Sequence, residues 1–293
     1  MLILSYLVAT GITTGAFYAL VALGIVIVYK STDVVNLAHG ELFMVGGMLA
    51  YTCYVMAGVP YIPSLLLAVA GAFAVGILTE RIAYRPVLQH GLSSVLVATI
   101  GVSFILKGIG RYIWGGKGDY LAFPPIVSPE PIEFGNIMIM SQQLVVLLAA
   151  VAVMAGLTLF FKCTRAGKWM QATASNPKAA VLCGLRIDRI YMYTFAVGAA
   201  VAGAAGVLMA PLTHLYPDVG FVLFIKGLAA AVLGGLTSIP GAVLGGLLLG
   251  LIEQLAAGYV HSSIQDVVPF LVIMLALSLL PTGLLGARGL RKV

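Results

Sequence analysis

Ionisable and nucleophilic side chains are sparse in this sequence, and their spacing decides which chemistry is open to them. The four histidines are scattered, and the three cysteines lack the spacing of metal ligands or of a disulfide framework. The glycine-rich stretch 234–241 lacks the Lys-Ser/Thr ending of a phosphate-binding loop, and the sequence contains no HExxH and no GxSxG with a credible triad. The sequence therefore predicts no catalytic residue, no metal site and no cofactor, and the chain is not expected to be an enzyme.

A few acidic residues lie within or beside apolar runs. Glu253 stands inside such a run next to Gln254, whereas Glu41 and Glu80 lie near the ends of others. An acid inside a membrane is costly and marks either a functional group or a side chain bonded to a neighbouring helix. Both interpretations of Glu253 are open, but the scarcity of such groups favours an energy source outside the chain.

The composition indicates that lipid is the solvent for much of this protein. Of the 293 residues, 61% are hydrophobic and only 9% are charged, whereas soluble domains carry about 25% charged residues. A span needs roughly 20 apolar residues, so residues 1–293 are expected to form one transmembrane domain of eight to nine spans. The net charge of +6 is explained by basic cytoplasmic loops, and nucleic acid is not expected as a partner.

Apolar runs predict an all-α polytopic bundle, in which the run at 222–239 is the weakest because Lys226 interrupts it. Pairs of glycines with GxxxG spacing, in which small residues let helices approach closely, predict tight packing. The predicted spans lie near 6–29, 41–58, 61–80, 93–114, 141–161, 190–211, 222–239, 241–260 and 265–285. The GxxxG pairs are Gly11 and Gly15, Gly241 and Gly245, and Gly246 and Gly250.

The distribution of basic residues predicts the orientation. The segment 162–189 carries six of them and is expected to be cytoplasmic, which places the N-terminus outside and the tail 286–293 inside. Twelve of the 16 basic residues then lie inside, leaving Lys107, Arg111, Lys117 and Lys226 at or near the outer face. The proline-rich segment 115–140 becomes an irregular external loop, either a contact site for an arriving partner or a mere connector.

A short helix is predicted within the cytoplasmic segment 163–189. Ser175 or Asn176 is a suitable N-cap, Pro177 suits the first helical position, and Gly184 suits a left-handed C-terminal end. The helix would have about two turns and lie at the surface, between two spans.

One face of this helix is predicted to carry the small residues Ala179, Ala180 and Cys183. Such a face suits either a cleft in another protein or the lipid headgroups.

Several blocks resemble a known family. Lys178-Ala179-Ala180-x3-Gly184 resembles the EAA loop with which ABC importer permeases contact their ATPases, and Arg165-Ala166-Gly167 and Asn176 before it make the pattern similar to the branched-chain amino acid permease family. The block Asn36-Leu-Ala-His39-Gly40-Glu41 resembles that family's Asn-Phe-Ala-Gln-Gly-Glu signature. Glu80-Arg81-x3-Arg85-Pro86 and Gly234-Gly235-x2-Ser238-x-Pro240-Gly241 also fit.

The resemblance implies a permease subunit in the inner membrane that moves leucine, isoleucine and valine. It also implies two cytoplasmic ATPases that bind the ATP, a second homologous permease and an external substrate-binding protein. The pore is then expected to be wide and poorly selective. Arg165, Asn176, Lys178, Ala179, Ala180 and Gly184 are the expected ATPase-coupling residues, and Asn36, His39, Gly40 and Glu41 are expected near the pathway.

Two alternatives stay open. A permease of the same architecture would serve another amino acid, an amide, urea or a ribose-type sugar. An ion-coupled secondary carrier would work alone, but it is expected to contain inverted repeats, and no clear internal repeat is visible in the sequence.

Overall fold

The computed structural model describes residues 2–115, 120–127, 130–134 and 137–286. Apart from one hairpin, its regular elements are helices. They are α1 (Leu2–Thr32), α2 (His39–Tyr51), α3 (Tyr61–Leu78), α4 (Arg85–Val87), α5 (Leu92–Trp114), α6 (Ser141–Cys163), α7 (Arg165–Ser175), α8 (Pro177–Leu182), α9 (Ile187–Met209), α10 (Val219–Gly234), α11 (Ile239–Tyr259) and α12 (Val268–Leu279). Two π-helical segments, Thr52–Met56 and Thr79–Tyr84, extend α2 and α3, and the 3-10 segments Leu88–His90 and Ser262–Asp266 precede α5 and α12.

Each apolar run predicted as a span is helical, although the helices differ in length. Among the described residues, six helical stretches are long and apolar enough to cross a membrane: Ile3–Thr32, Tyr61–Val87, Ser93–Trp114, Ser141–Cys163, Ile187–Met209 and Ile239–Tyr259. The apolar helices α10 and α12 are shorter. The prediction of a multi-span helical bundle is confirmed, with six long helical stretches and shorter apolar helices among the described residues.

Glycines on two faces of α11 bring two other helices close to it. A Cβ added at Gly250 or Gly246 would overlap the backbone of α1 at Gly15 or Ala19. A Cβ at Gly245 would overlap α10 at Ala230. The GxxxG pairs therefore act in helix packing, as predicted, because small residues allow backbone-to-backbone contact.

The centre of the bundle is formed by α1, α2 and α9. Most of α1 is buried, and α2 approaches α9 closely where Gly46 lies on Gly203 and Phe43 on Gly206. The helices α5, α6 and α12 lie further out, and each exposes large apolar side chains. That distribution suits a surface covered by lipid or by another membrane subunit.

Contrary to the expected interruption at Lys226, α10 is continuous and ends in a tight turn. Gly235 follows its last residue with φ +110°, and the Ser238 hydroxyl then accepts a hydrogen bond from the Gly241 amide at 3.1 Å, capping α11. The segment after α12 returns to this turn, where the amides of Leu284 and Leu285 donate to the carbonyls of Leu233 and Gly234 at 2.9 Å. These bonds occupy carbonyls that a helix C-terminus otherwise leaves unpaired.

The prediction of an irregular external loop at 115–140 is wrong in part. Strands β1 (Pro131–Phe134) and β2 (Ile137–Met140) form an antiparallel hairpin in which Ile132 pairs with Ile139. The β-branched residues of these two short runs favour strands, which the count of prolines obscured. Residues 116–119, 128–129 and 135–136 of this loop, and residues 287–293 of the expected cytoplasmic tail, lie outside the described residues.

A candidate translocation path and coupling surface

The second helix begins inside the bundle, after a turn shaped by Asn36. The Asn36 side-chain oxygen accepts a hydrogen bond from the Ala38 amide at 3.0 Å, and the Asn36 carbonyl accepts one from the His39 amide at 3.1 Å. Ala38 occupies the N-cap position of α2. Asn36 instead fixes the turn two residues earlier, because an asparagine side chain readily bonds the backbone two residues on.

The contacts of His39 and Glu41 show how deep in the bundle α2 begins. The His39 side chain is fully buried against Gly24 of α1 and Gly198, the middle residue of α9. The Glu41 carboxylate accepts a hydrogen bond at 3.0 Å from Ser103, the middle residue of α5. Because both partners lie halfway along their helices, α2 begins near the middle of the bundle.

The start of α10 meets the start of α2 at the same place. A Cβ on either Gly40 or Gly220 would overlap the backbone of the other, so only two glycines allow this contact. A Cβ on Gly220 would also lie 2.8 Å from Glu41 Oε2. Helix N-termini carry partial positive charge, and here two of them converge on one acidic side chain. Gly40 and Glu41 of the family signature are thus brought together at a helix junction.

Four charged residues extend from this junction towards the C-terminal end of α5. Lys107 Nζ lies 3.5 Å from Glu41 and 3.7 Å from Asp218, and Arg111 donates to Asp218 at 2.7 Å. Two acids and two bases thus alternate in one connected network. Side-chain exposure rises along it, from 1% for Glu41 and 16% for Lys107 to 50% for Asp218 and 63% for Arg111.

Cavities adjoin the exposed end of this network. One of about 470 Å³ is lined by Arg111, Asp218, Tyr120 and Tyr216, together with Gly115 and Pro217. A second of about 280 Å³ shares Tyr120 and Tyr216 and adds an apolar wall that includes Met209, Val222 and Leu223. The loops that carry the two tyrosines are joined by paired backbone hydrogen bonds between Leu121 and Leu215. Charged groups and an apolar wall are therefore neighbours in one cleft at the end of α5.

A second ion pair adjoins this smaller cavity, which Tyr18 and Lys226 also line. Lys226 of α10 donates to Glu253 of α11 at 2.5 Å, and its ammonium group lies 5.6 Å from the centre of the Tyr18 ring. Glu253 is 2% exposed. Of the two interpretations of this acid, the geometry favours the structural one, because the carboxylate is neutralised by a neighbouring helix.

A third ion pair lies at the end of α3, and its arginine also bonds to the backbone of α9. Arg85 donates two hydrogen bonds to Glu80, at 3.1 and 3.0 Å, and a third to the Asp188 carbonyl at 3.2 Å. Glu80 is buried rather than exposed, so this pair is held more firmly than a surface pair. It connects the end of α3 to the segment that carries α7 and α8.

The predicted coupling helix is present as α8, with the predicted caps. The Asn176 side chain accepts a hydrogen bond from the Ala179 amide at 3.0 Å, and Gly184 has φ +82°. The amides of Gly184 and Leu185 donate to the carbonyls of Val181 and Ala180, at 2.9 and 3.1 Å. That pair of bonds is the Schellman motif, which terminates helices at a left-handed residue.

A further helix, α7, precedes it and was not predicted as a separate element. Thr164 caps α7 by accepting from the Gly167 amide at 3.0 Å. A Cβ on Gly167 would overlap Phe160 and Phe161, so glycine lets α7 fold back on the end of α6. Arg165 is exposed at the first position of α7.

The predicted small-residue face of α8 is corrected by its burial pattern. Ala180 is 4% exposed and packs within the chain, whereas Ala179, Cys183 and Lys178 are exposed and Leu182 is 89% exposed. Consecutive residues of an α-helix point about 100° apart, so Ala179 and Ala180 cannot both face the same cleft. The surface open to a partner is formed by Ala179, Leu182 and Cys183.

Comparison with known proteins identifies the family. The family model described as the branched-chain amino acid transport system permease component matches residues 7–277. This chain belongs to that family. It is 36% identical to the high-affinity branched-chain amino acid transport system permease protein LivH of Salmonella typhimurium, over 97% of this chain and 96% of the relative. It is also 36% identical to BraD of Pseudomonas aeruginosa, a permease protein with the same description, with the same coverage of both chains.

A more distant relative is named for a different transport role. The autoinducer 2 import system permease protein LsrC of Yersinia enterocolitica is 30% identical over 174 residues, which cover 54% of this chain. The part it shares with this chain therefore occurs in permeases of differing description.

Sequence reasoning missed Lys107, Arg111, Asp218 and Lys226 as members of a site. It placed the three basic residues near the outer face, where bases are the minority. A signal was available, because Lys107 and Arg111 are four residues apart in one span and therefore share a helix face. Their acidic partners come from α2 and from the loop before α10, and sequence spacing does not reveal such pairings.

Proposed function

We propose that this chain is one permease subunit of an ABC importer and that it translocates branched-chain amino acids. Membership of the permease family supports the class of protein. The observation that supports a translocation pathway is the junction of α2 and α10. This junction lies near the middle of the bundle, where helix N-termini meet the charged network. Helices that begin at such a depth line protein or a water-filled path, and transporters place substrate at such breaks.

A topology of nine spans accommodates the observed helices. In addition to the six long stretches, α2 with its π-helical extension, α10 and α12 would each cross or partly cross the bilayer. The Trp114 indole donates to the Thr52 hydroxyl at 2.9 Å, which places the ends of α5 and α2 on one side. With 162–189 in the cytoplasm, that side is outside, the N-terminus is outside and the C-terminus is cytoplasmic.

A second homologous permease is the proposed cover for the outer cleft. In the single chain, the Arg111 side chain is more than half exposed and the Asp218 side chain is half exposed. Charged side chains of membrane proteins face the bundle interior or water in preference to lipid. A partner subunit on this face would enclose the cleft, into which an external binding protein would release its substrate.

Docking of the cytoplasmic ATPases is assigned to α8. Its open face is small and apolar at Ala179, Leu182 and Cys183, although it lies among exposed Lys178, Arg186 and Arg189. An exposed apolar patch with a polar rim is typical of a protein contact. ATP would be bound by these partner subunits, not by this chain.

The ion-coupled carrier is the less favoured alternative. Glu253, the acid it would use, is already paired with Lys226. Substrates other than branched-chain amino acids remain an alternative because of the similarity to an autoinducer 2 import permease.

Reconstitution of the full importer in liposomes tests this proposal. We expect leucine uptake to require the ATPases, ATP and the binding protein, and an imposed ion gradient without ATPases to drive none. Leu182→Asp places a charge on the α8 contact, and we expect it to abolish ATPase co-purification and uptake while membrane abundance stays normal. Ser175→Asp, which adds the same charge at the end of α7, is the matched control and should retain both. Gradient-driven uptake by the permease alone would instead establish the carrier.

A further inference from the structure

The Arg111–Asp218 pair differs from an ordinary structural ion pair in its position. Its atoms are 2.7 Å apart, both side chains line the larger cavity, and both are at least half exposed. Exposed pairs of this kind contribute little to stability. Stability therefore does not explain why opposite charges are held at the mouth of a cleft in a membrane protein.

We propose that Arg111 and Asp218 form a zwitterion subsite within the permease, in which the carboxylate of an α-amino acid binds Arg111 and its ammonium group binds Asp218. This inference rests on the proposed function and names the chemistry recognised by that path. In the free state each residue satisfies the other. Substrate replaces one ion pair with two, and the net charge of the cleft is unchanged.

The residues below the pair allow this exchange. When Asp218 turns to the substrate ammonium, Lys107 keeps its contact with Glu41, at 3.5 Å. Glu41 is held in turn by Ser103 and lies at the start of α2, where the helix end favours negative charge. The buried half of the network therefore stays neutral while the exposed half changes partners.

The apolar wall beside the pair suits an aliphatic side chain. The cavity at Arg111 and Asp218, about 470 Å³, lies within the range of about 300–1,000 Å³ typical of small-molecule sites. Tyr120 and Tyr216 connect it to the cavity walled by Met209, Val222 and Leu223. A substrate held by its two charged groups would extend its side chain past the tyrosines towards that wall.

The presence of one cation and one anion side by side also lets the subsite distinguish zwitterions from other substrates. A sugar carries no charge with which to replace the Arg111–Asp218 pair, and an amine or a carboxylic acid would bind one of the two residues and leave the other unpaired. Groups that are left unpaired in a site carry a free-energy cost. Selection for α-amino acids would therefore operate in the permease itself, in addition to any selection by the binding protein.

Saturation-transfer NMR on the complete permease–ATPase complex in nanodiscs, without binding protein, tests the subsite directly. The probes are leucine, 4-methylpentanoate, which lacks the ammonium group, and 3-methylbutylamine, which lacks the carboxylate. We expect a signal from leucine and signals at least tenfold weaker from both analogues. Arg111→Gln and Asp218→Asn should each reduce the leucine signal at least tenfold, and Arg111→Lys should reduce it less, because the charge is kept while the planar fork is lost. Tyr112→Phe, on the exposed neighbour of Arg111, is the matched control.

Each outcome decides the matter. Equal binding of the single-charge analogues, an undiminished leucine signal in Arg111→Gln, or no leucine signal from the wild-type complex overturns the subsite. Loss of co-elution of permease and ATPases identifies variants that have failed to assemble. Uptake by the wild-type importer reports separately on the proposed function: absence of ATP-driven leucine uptake overturns that function. Normal uptake in both wild type and the assembled Arg111→Gln, Asp218→Asn double variant overturns only the subsite.

Discussion

Two ion pairs adjoin the cleft, Arg111–Asp218 at its larger cavity and Lys226–Glu253 at its smaller one, and they differ in how far they are enclosed. Lys226 and Glu253 have side chains 13% and 2% exposed, whereas Arg111 and Asp218 are 63% and 50% exposed. Both join residues from different parts of the chain. Lys226 lines the smaller cavity while its partner Glu253 is buried, whereas both members of the open pair line the larger cavity.

The difference separates a structural role from a recognition role. Breaking a buried pair leaves an uncompensated charge and is strongly destabilising, whereas breaking an exposed pair has little effect on stability. The Glu80–Arg85 pair falls between them, since Glu80 is buried and Arg85 is 37% exposed. The three pairs form a graded series in which stability and transport should change independently.

The enclosed pair should give the largest loss of stability. Lys226→Met leaves the Glu253 carboxylate buried without its counter-ion, and we expect the free energy of unfolding to fall by about 3–5 kcal/mol. Unfolding of the purified permease in detergent measures this change. The double variant Lys226→Met with Glu253→Gln removes both charges and should recover most of the loss. Equal losses in the single and double variants would contradict the assigned role.

An intermediate loss is expected at the end of α3. Arg85→Gln removes the charge-assisted hydrogen bonds to Glu80, and bonds of this kind contribute about 1.5–3 kcal/mol each. Because the Arg85 side chain is partly exposed to solvent, we expect the free energy of unfolding to fall by about the contribution of one such bond. Arg81→Gln removes an exposed neighbouring charge and should be nearly neutral in the same unfolding measurement. A loss of stability equal to that of Lys226→Met would contradict the intermediate rank of the Glu80–Arg85 pair.

The open pair should have the smallest effect on stability. Arg111→Gln should lower the free energy of unfolding by less than about 1 kcal/mol, although leucine uptake by the complete importer falls. Tyr112→Phe serves again as the control for both measurements. If Arg111→Gln destabilises the chain as much as Arg85→Gln does, the pair has a structural role and the contrast with Lys226–Glu253 disappears.

Local features were predictable from the sequence. The caps of α8 were predicted from Asn176, Pro177 and Gly184, because capping depends on residues within one turn. The GxxxG spacing likewise indicated close helix packing, and the hydrophobic runs located the helices, because both signals are periodic along the chain.

Features that depend on tertiary pairing were not predictable in the same way. The sequence did not show that Ala180 would be covered by its own chain, or that Lys226 would find Glu253, 27 residues away. The scarcity of ionisable groups within the apolar runs was judged by reading each span alone. In the structure, Glu41 lies near one end of its helix, yet it contacts the middle of α5, because α2 begins within the bundle.

The return of the chain to the end of α10 has a consequence for biogenesis. The Leu284 and Leu285 amides bond the carbonyls of Leu233 and Gly234, about fifty residues earlier in the order of synthesis. During translation, α10 and α11 leave the ribosome before their shared turn has these partners. A nascent chain that stops before Gly283 lacks both bonds, so completion of this part of the bundle must await the synthesis of Leu284 and Leu285.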